Sequence, residues 1–181
     1  PKRKAVGRDY LEAIRPHMPH RLSVMMLFMH QTGRRVSDAV NMEPSWIAGA
    51  TVRIPKTKNG EAATARLTPE VAELIAGLPE RHGRVFGYVD RSSVYKTLRR
   101  ACKKAGVEYL GTHQPGRHSF ATTLSDAGWG TKAIAEAGGW KSTRLVAEIY
   151  EHPEDSQSRA AEIFGKKLAS TSSNDARKPL K

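Results

Sequence analysis

Basic and aromatic side chains gather in three stretches of this 181-residue chain. Thr32–Asp38 reads TGRRVSD and places two adjacent arginines after a glycine. Residues 56–60 read KTKNG and hold Lys58. His113–Leu124 reads HQPGRHSFATTL, and GGWKS at 138–142 and then Tyr150 follow it. Singly, each has an ordinary explanation. An arginine after a helix-breaking glycine is usually solvated, and a tyrosine closing an amphipathic helix more often packs than reacts. Jointly they match the needs of phosphoryl transfer. A pentavalent phosphorus transition state carries charge on two non-bridging oxygens, which permanently charged, bidentate guanidiniums neutralise. A metal-free version also requires a nucleophile and a proton donor for the leaving oxygen. Paired carboxylates at the spacing of a two-metal nuclease are not evident, nor is a Cys/His cluster with zinc-ligand spacing.

These motifs, in this order, resemble those of the tyrosine recombinase (phage integrase) family, over about residues 20 to 152. TGRRVSDAVNM is similar to the first arginine box, usually TG-x-R-x-SE. In that match Arg35 is the catalytic arginine, Arg34 fills the variable position and Asp38 stands for the usual Glu. KTKNGEAATARLTP resembles the family's β-hairpin, with Lys58 as its lysine. HQPGRHSFATTLSDAG resembles the second box, usually HxLRHxFAT, and gives Arg117. GGWKSTRLVAEIYEH resembles the last box, usually LGHxSxxxTxxYxH, with Trp140 in the third basic position and Tyr150 as nucleophile. Two positions depart from the pattern. Gln114 stands three residues before Arg117, where the family has His, and His113 stands four before; Pro115-Gly116 can form a bulge that restores the histidine. Trp140 replaces the usual His, and its indole N–H can donate but cannot exchange a proton.

The resemblance implies a mechanism. Arg35 and Arg117 clamp the scissile phosphate, Trp140 adds a hydrogen bond, and Asp38 buttresses the active-site arginine. Tyr150 attacks phosphorus, Lys58 protonates the leaving 5′-oxygen, and His113 assists proton movement at the tyrosine. No cofactor and no metal is implied. Double-stranded DNA is the expected partner. The resemblance also implies a homotetramer on DNA through the segment after Tyr150, and an N-terminal core-binding domain in the full-length protein. The chain opens at Pro1, so it is expected to be a fragment. Among the other tyrosines, Tyr95 precedes Lys96, Arg99 and Arg100 and is expected to flank DNA, while Tyr109, close to His113, is the main rival nucleophile.

Composition agrees with a polyanionic partner. Lys and Arg number 30 against 18 Asp and Glu, a formal net charge of +12, and nucleic acid is the commonest such partner. Cys102 stands alone, which suits a reducing compartment. The most apolar run, Leu22 to Met29, is too short to cross a bilayer, and no secretory signal is visible. No membrane association is expected, and the location expected is the cytoplasm of a bacterium, with a bacterial or phage gene.

The elements that must hold these residues give an α+β chain, mainly α-helical, with one small antiparallel sheet, and the resemblance implies the tyrosine-recombinase catalytic-domain fold. Residues 1–8 read as a basic linker or arm, 9–168 as the catalytic domain, and 169–181 as a disordered basic tail. Helical spacing from Asp9 to His30 points Leu11, Ile14, Leu22, Met25, Met26 and Met29 inward, with breaks at Pro16 and Pro19. A short helix runs from about Val36 to Met42. Asn59-Gly60 predicts a type I′ hairpin turn with Lys58 beside its tip. Thr68-Pro69 starts a helix, and another spans about Ser92 to Ala105, ended by Gly106. Residues 107–116 read as a loop. Helices follow at about Arg117–Asp126, Thr131–Ala137, Thr143–Tyr150 and Ser156–Leu168. The last has an apolar face of Ala160, Ala161, Ile163, Phe164 and Leu168, which packs on a neighbouring subunit or on its own domain.

Two other function classes fit parts of the chain. Thr131 to Tyr150 also reads as helix-turn-helix, the pattern of a non-catalytic DNA-binding regulator. A type IB topoisomerase shares the tyrosine, arginines and lysine on a related fold. A degenerate recombinase would bind sites and cut slowly.

Overall fold

One helix, α2 (His20–Thr32), runs through the centre of the chain. Every residue from Leu22 to Met29 is buried, so the helix is apolar all round rather than two-faced, as an interior helix must be. The structure is a computed structural model that describes residues 6–58, 60–150 and 161–162. The chain divides into two units, 1–150 and 151–181. Of the second, only residues 161 and 162, both helical, are described. The rest of the expected helix at 156–168, the tail at 169–181 and residues 1–5 of the basic arm lie outside the described residues.

Prolines and glycines punctuate the first unit as the sequence predicts. The first helix, α1 (Arg8–Ile14), passes into a 3₁₀ turn at Arg15–His17 before α2 begins. Pro16 lacks an amide hydrogen and Pro19 cannot continue a helix, so the two turns separate here. Gly33 closes α2 in the left-handed region at φ 65°, and a Cβ there would lie 2.6 Å from the Phe120 ring. Only glycine fits both demands. After it, α3 (Val36–Asn41) starts at Arg35, whose amide donates to the Asp38 carboxylate at 3.2 Å.

Three short strands form one antiparallel sheet in the order β1 (Ile47–Ala48), β2 (Thr51–Ile54), β3 (Ala63–Arg66). Val52 pairs with Ala65 and Ile54 with Ala63, and all but Ala63 of these turn into the core. The tip differs from the predicted type I′ turn on Asn59-Gly60. The Gly60 amide bonds the Thr57 carbonyl at 2.9 Å and the Thr57 amide bonds the Glu61 carbonyl at 2.8 Å. The turn is therefore centred one residue earlier, and Lys58 lies in it rather than beside it.

Thr68 caps α4 (Pro69–Ala76) by accepting from the Val71 amide. Asp90 caps α5 (Arg91–Ala105) by accepting from Ser93, and Gly106 ends it in the left-handed region. On α5 the buried positions are Val94, Leu98, Ala101 and Cys102, one helical stripe. Three helices complete the unit: α6 (Ser119–Asp126), α7 (Thr131–Gly138) and α8 (Thr143–Tyr150).

The core falls into two parts. The larger surrounds α2 and takes in residues from α1, the sheet, α4 and α5. The smaller holds Ala121, Ile134, Ala135 and Val146, with Leu124 and Trp140 against it. Among the described residues, that second cluster is what α6, α7 and α8 share.

Candidate active site

Residues 107–116, read from the sequence as a loop, end in a turn of unusual pitch. Gln114–His118 forms a π-helical turn with His113 at its N-cap. The His118 amide reaches back five residues to the His113 carbonyl, at 3.0 Å. A π-turn accommodates one extra residue in a helical segment. The chain therefore absorbs the additional residue between His113 and Arg117 as the bulge anticipated from Pro115-Gly116. Gly116 lies close against α2, where an added Cβ would approach the Met29 Cβ to 3.3 Å.

The turn carries Arg117 inward and leaves His113 exposed. Arg117 is only 3 % accessible. Its Nη1 donates to the carbonyls of Gly33 (2.7 Å) and Gly138 (2.6 Å), and its Nη2 to that of Gly139 (3.3 Å). The Trp140 ring lies against the guanidinium, 3.6 Å from Cζ to centroid. Trp140 is nearly parallel to Phe120, with centroids 6.4 Å apart. The third basic position of the resemblance is therefore occupied by an aromatic platform for Arg117.

Arg35, Lys58, His113 and Arg117 line one cleft of about 240 Å³. Arg34, Arg91, Tyr95, Ser37 and Thr112 line it too. A neighbouring cleft of about 450 Å³ shares Lys58, Ser37 and Arg91 and extends past Lys56 to Trp46. Among the described residues, five Lys or Arg side chains and no carboxylate line the smaller cleft. Such a cavity has a strong electrostatic preference for an anion. Asp38, which lines only the larger cleft, is buried and accepts from the main-chain amide of Arg35. Its support of Arg35 thus acts through the backbone.

The hairpin that carries Lys58 is tied across to the segment after Trp140. Glu61 pairs with Lys141 at 2.7 Å, with both side chains more than half exposed. On the far side, Arg91 and Tyr95 reach the cleft from one face of α5, being four residues apart. The same helix exposes Lys96, Arg99, Arg100, Lys103 and Lys104 to solvent.

The tyrosines sort clearly. Tyr10 donates to the Glu108 carbonyl at 2.8 Å and lies 3.4 Å from the Cys102 thiol, and burial pushes its pKa up. Burial also raises Tyr88. Tyr109, the rival suggested by sequence, does not line the cleft; it lies under Arg99 at 4.7 Å, and burial raises its pKa. Tyr95 does line it, so the second candidate passes from Tyr109 to Tyr95. Tyr150 closes α8, and the position of its side chain lies outside what the structure describes. Sequence reasoning also overlooked Arg34, which it assigned to a variable position. A buried arginine there has no signature in spacing or composition.

Comparison with known proteins agrees with this geometry. The phage integrase family profile matches residues 8–157. A XerC-like tyrosine recombinase of Caldanaerobacter subterraneus subsp. tengcongensis is 31% identical over 125 residues, covering 55% of this chain and 31% of that protein. The chain thus spans under a third of the curated relative it matches. Among solved structures, the catalytic domain of bacteriophage HP1 integrase superposes with a TM-score of 0.64 at 21% identity, over 92% of each chain. XerH site-specific recombinase bound to palindromic difH substrate gives 0.68 at 20% identity, over 89% of this chain and 52% of that one. XerA recombinase gives 0.71 at 15% identity, over 91% and 66%. The fold is that of tyrosine recombinase catalytic domains, and the chain belongs to the phage integrase family.

Proposed function

We propose that this chain is the strand-cleaving and rejoining domain of a site-specific DNA recombinase that integrates or excises a mobile element. The observation that carries the reading is the cleft bordered by Arg34, Arg35, Lys58, Arg91 and Arg117, with no acidic residue among the described residues of its lining. That arrangement suits a phosphodiester, whose charge rises as phosphorus becomes pentavalent. The exposed basic face of α5, continuous with the cleft through Arg91 and Tyr95, supplies sequence-independent contacts to the flanking backbone.

In the proposed reaction Arg35 and Arg117 hold the two non-bridging oxygens, and Trp140 keeps the Arg117 guanidinium in plane. The Tyr150 hydroxyl oxygen bonds to phosphorus as the P–O5′ bond breaks. The tyrosine proton leaves toward His113, since a phenol of ordinary pKa about 10 is protonated at neutral pH. Lys58 donates a proton to the departing 5′-oxygen. The products are a 3′-phosphotyrosine and a free 5′-hydroxyl, and a 5′-hydroxyl from a second strand reverses the step. The segment after Tyr150 packs on a neighbouring subunit of a tetramer, and an N-terminal core-binding domain of the full-length protein closes the clamp on duplex DNA in the bacterial cytoplasm.

The test is a nicked suicide duplex built on a candidate attachment site, incubated with protein and resolved on a denaturing gel. A DNA-linked band that disappears in Tyr150→Phe is the expected result. Tight binding with no linked band is what the helix-turn-helix regulator reading of α7–α8 requires, and it would replace this one.

A further inference from the structure

The last turn of α7 shows a complete accounting of its carbonyls. An α-helix leaves its final four carbonyls without helical partners. Gly139, left-handed at φ 65°, forms a Schellman closure: Trp140 donates to Ala135 at 2.8 Å and Gly139 to Glu136 at 3.2 Å. The two carbonyls that remain are those of Ala137 and Gly138. Arg117 takes Gly138, and Nη2 of Arg34 takes Ala137 at 3.1 Å. Two cations thus sit at the negative end of the α7 dipole. The fit around Arg34 is close, because a Cβ on Gly139 would come within 2.7 Å of its Nη1.

Arg34 bears a cost for this position. It is 3 % accessible, and its Nε has no hydrogen-bond partner among the described residues. Burial lowers its pKa, the carboxylate of Asp38 opposes that, and Arg35 adds to it. A leucine or methionine would fill the volume without leaving a donor unsatisfied, and burying an unsatisfied donor is unfavourable. What the guanidinium gains is a link between two parts of the core. Arg34 follows α2 in the large cluster, whereas α7 belongs to the small cluster of Ala121, Ile134, Ala135 and Val146. α8, which ends at Tyr150, contributes Val146 to that same cluster.

We propose that Arg34 is a positioning residue: by completing the cap of α7 it locks the α7–α8 segment to the arginine box and so sets where Tyr150 is presented. The inference rests on the reading of Tyr150 as nucleophile, and the experiment separates the two. In the full chain, Arg34→Met and Arg34→Lys are compared with the parent by amide hydrogen exchange, by single-turnover cleavage of the suicide duplex and by equilibrium binding to the same duplex.

Arg34→Met is expected to speed exchange across residues 131–150 while leaving β2 and β3 unchanged. Its cleavage rate is expected to fall by about ten- to a hundredfold, the equivalent of one lost buried partner, and by clearly more than its affinity. Arg34→Lys, which keeps the charge, is expected to lie between the two. Faster exchange spread evenly over the chain, or equal losses of affinity and rate, would overturn the positioning role. If the parent chain forms no covalent product, the strand-transfer reading fails, and exchange at 131–150 still decides whether Arg34 holds the segment.

Discussion

The guanidinium of Arg117 rests on the Trp140 ring, 3.6 Å from its centroid, while donating to carbonyls at the ends of both α2 and α7. A cation held against an aromatic face gains about 0.5–2 kcal/mol, more when water is excluded. The indole therefore serves Arg117 by shape and quadrupole. Trp140→Phe keeps a ring and loses the indole N–H, whereas Trp140→Ala loses both. Cleavage in Trp140→Phe is expected within about threefold of the parent, and in Trp140→Ala about tenfold or more below it. A loss in Trp140→Phe as large as in Trp140→Ala would instead assign the N–H a direct bond to phosphate.

The π-turn at Gln114–His118 places two adjacent polar residues differently. His113 lines the cleft and Gln114 does not. His113→Ala is expected to slow formation of the covalent product by about a hundredfold or more, the usual scale for a positioned proton carrier. Gln114→Ala is expected to leave it within about threefold. Single-turnover rates on one suicide duplex check both, and the opposite ranking would return the role to Gln114.

Much of this was legible beforehand. Pro16, Pro19 and Gly106 mark real boundaries because they act on the backbone locally. Arg35, Lys58, His113 and Arg117, singled out by motif resemblance, line one cleft. What sequence did not show depends on tertiary placement. The hairpin turn closes one residue early, at Thr57–Gly60, since an Asn-Gly pair permits more than one turn geometry. Proximity in sequence to His113 makes Tyr109 the main rival to Tyr150, yet Tyr95, eighteen residues before that histidine, reaches the cleft from α5. Arg34 read as a solvated side chain, because nothing local reports that the end of α7 lies beside it.

Lys58, in the hairpin turn, carries the leaving-group proton in this account. Replacing the bridging 5′-oxygen with sulfur gives a leaving group that departs as thiolate and needs no acid. Lys58→Ala is expected to cleave the oxygen substrate about a hundredfold slower or worse, and to recover most of that loss on the sulfur substrate. Arg35→Ala and Arg117→Ala are expected to stay slow on both, because the charge on the non-bridging oxygens is unchanged. Failure of sulfur to rescue Lys58→Ala would place the lysine on the phosphate instead.

The central claim is that Tyr150 becomes covalently linked to a 3′-phosphate. It is tested most directly by trapping the parent chain on a suicide duplex, digesting with trypsin and mapping the nucleotide-bearing peptide by mass spectrometry. The candidates fall in different peptides, residues 145–159 for Tyr150, 92–96 for Tyr95 and 105–117 for Tyr109. The account requires the adduct in 145–159 on Tyr150. An adduct in 92–96 or 105–117 would contradict it and move the nucleophile to Tyr95 or Tyr109.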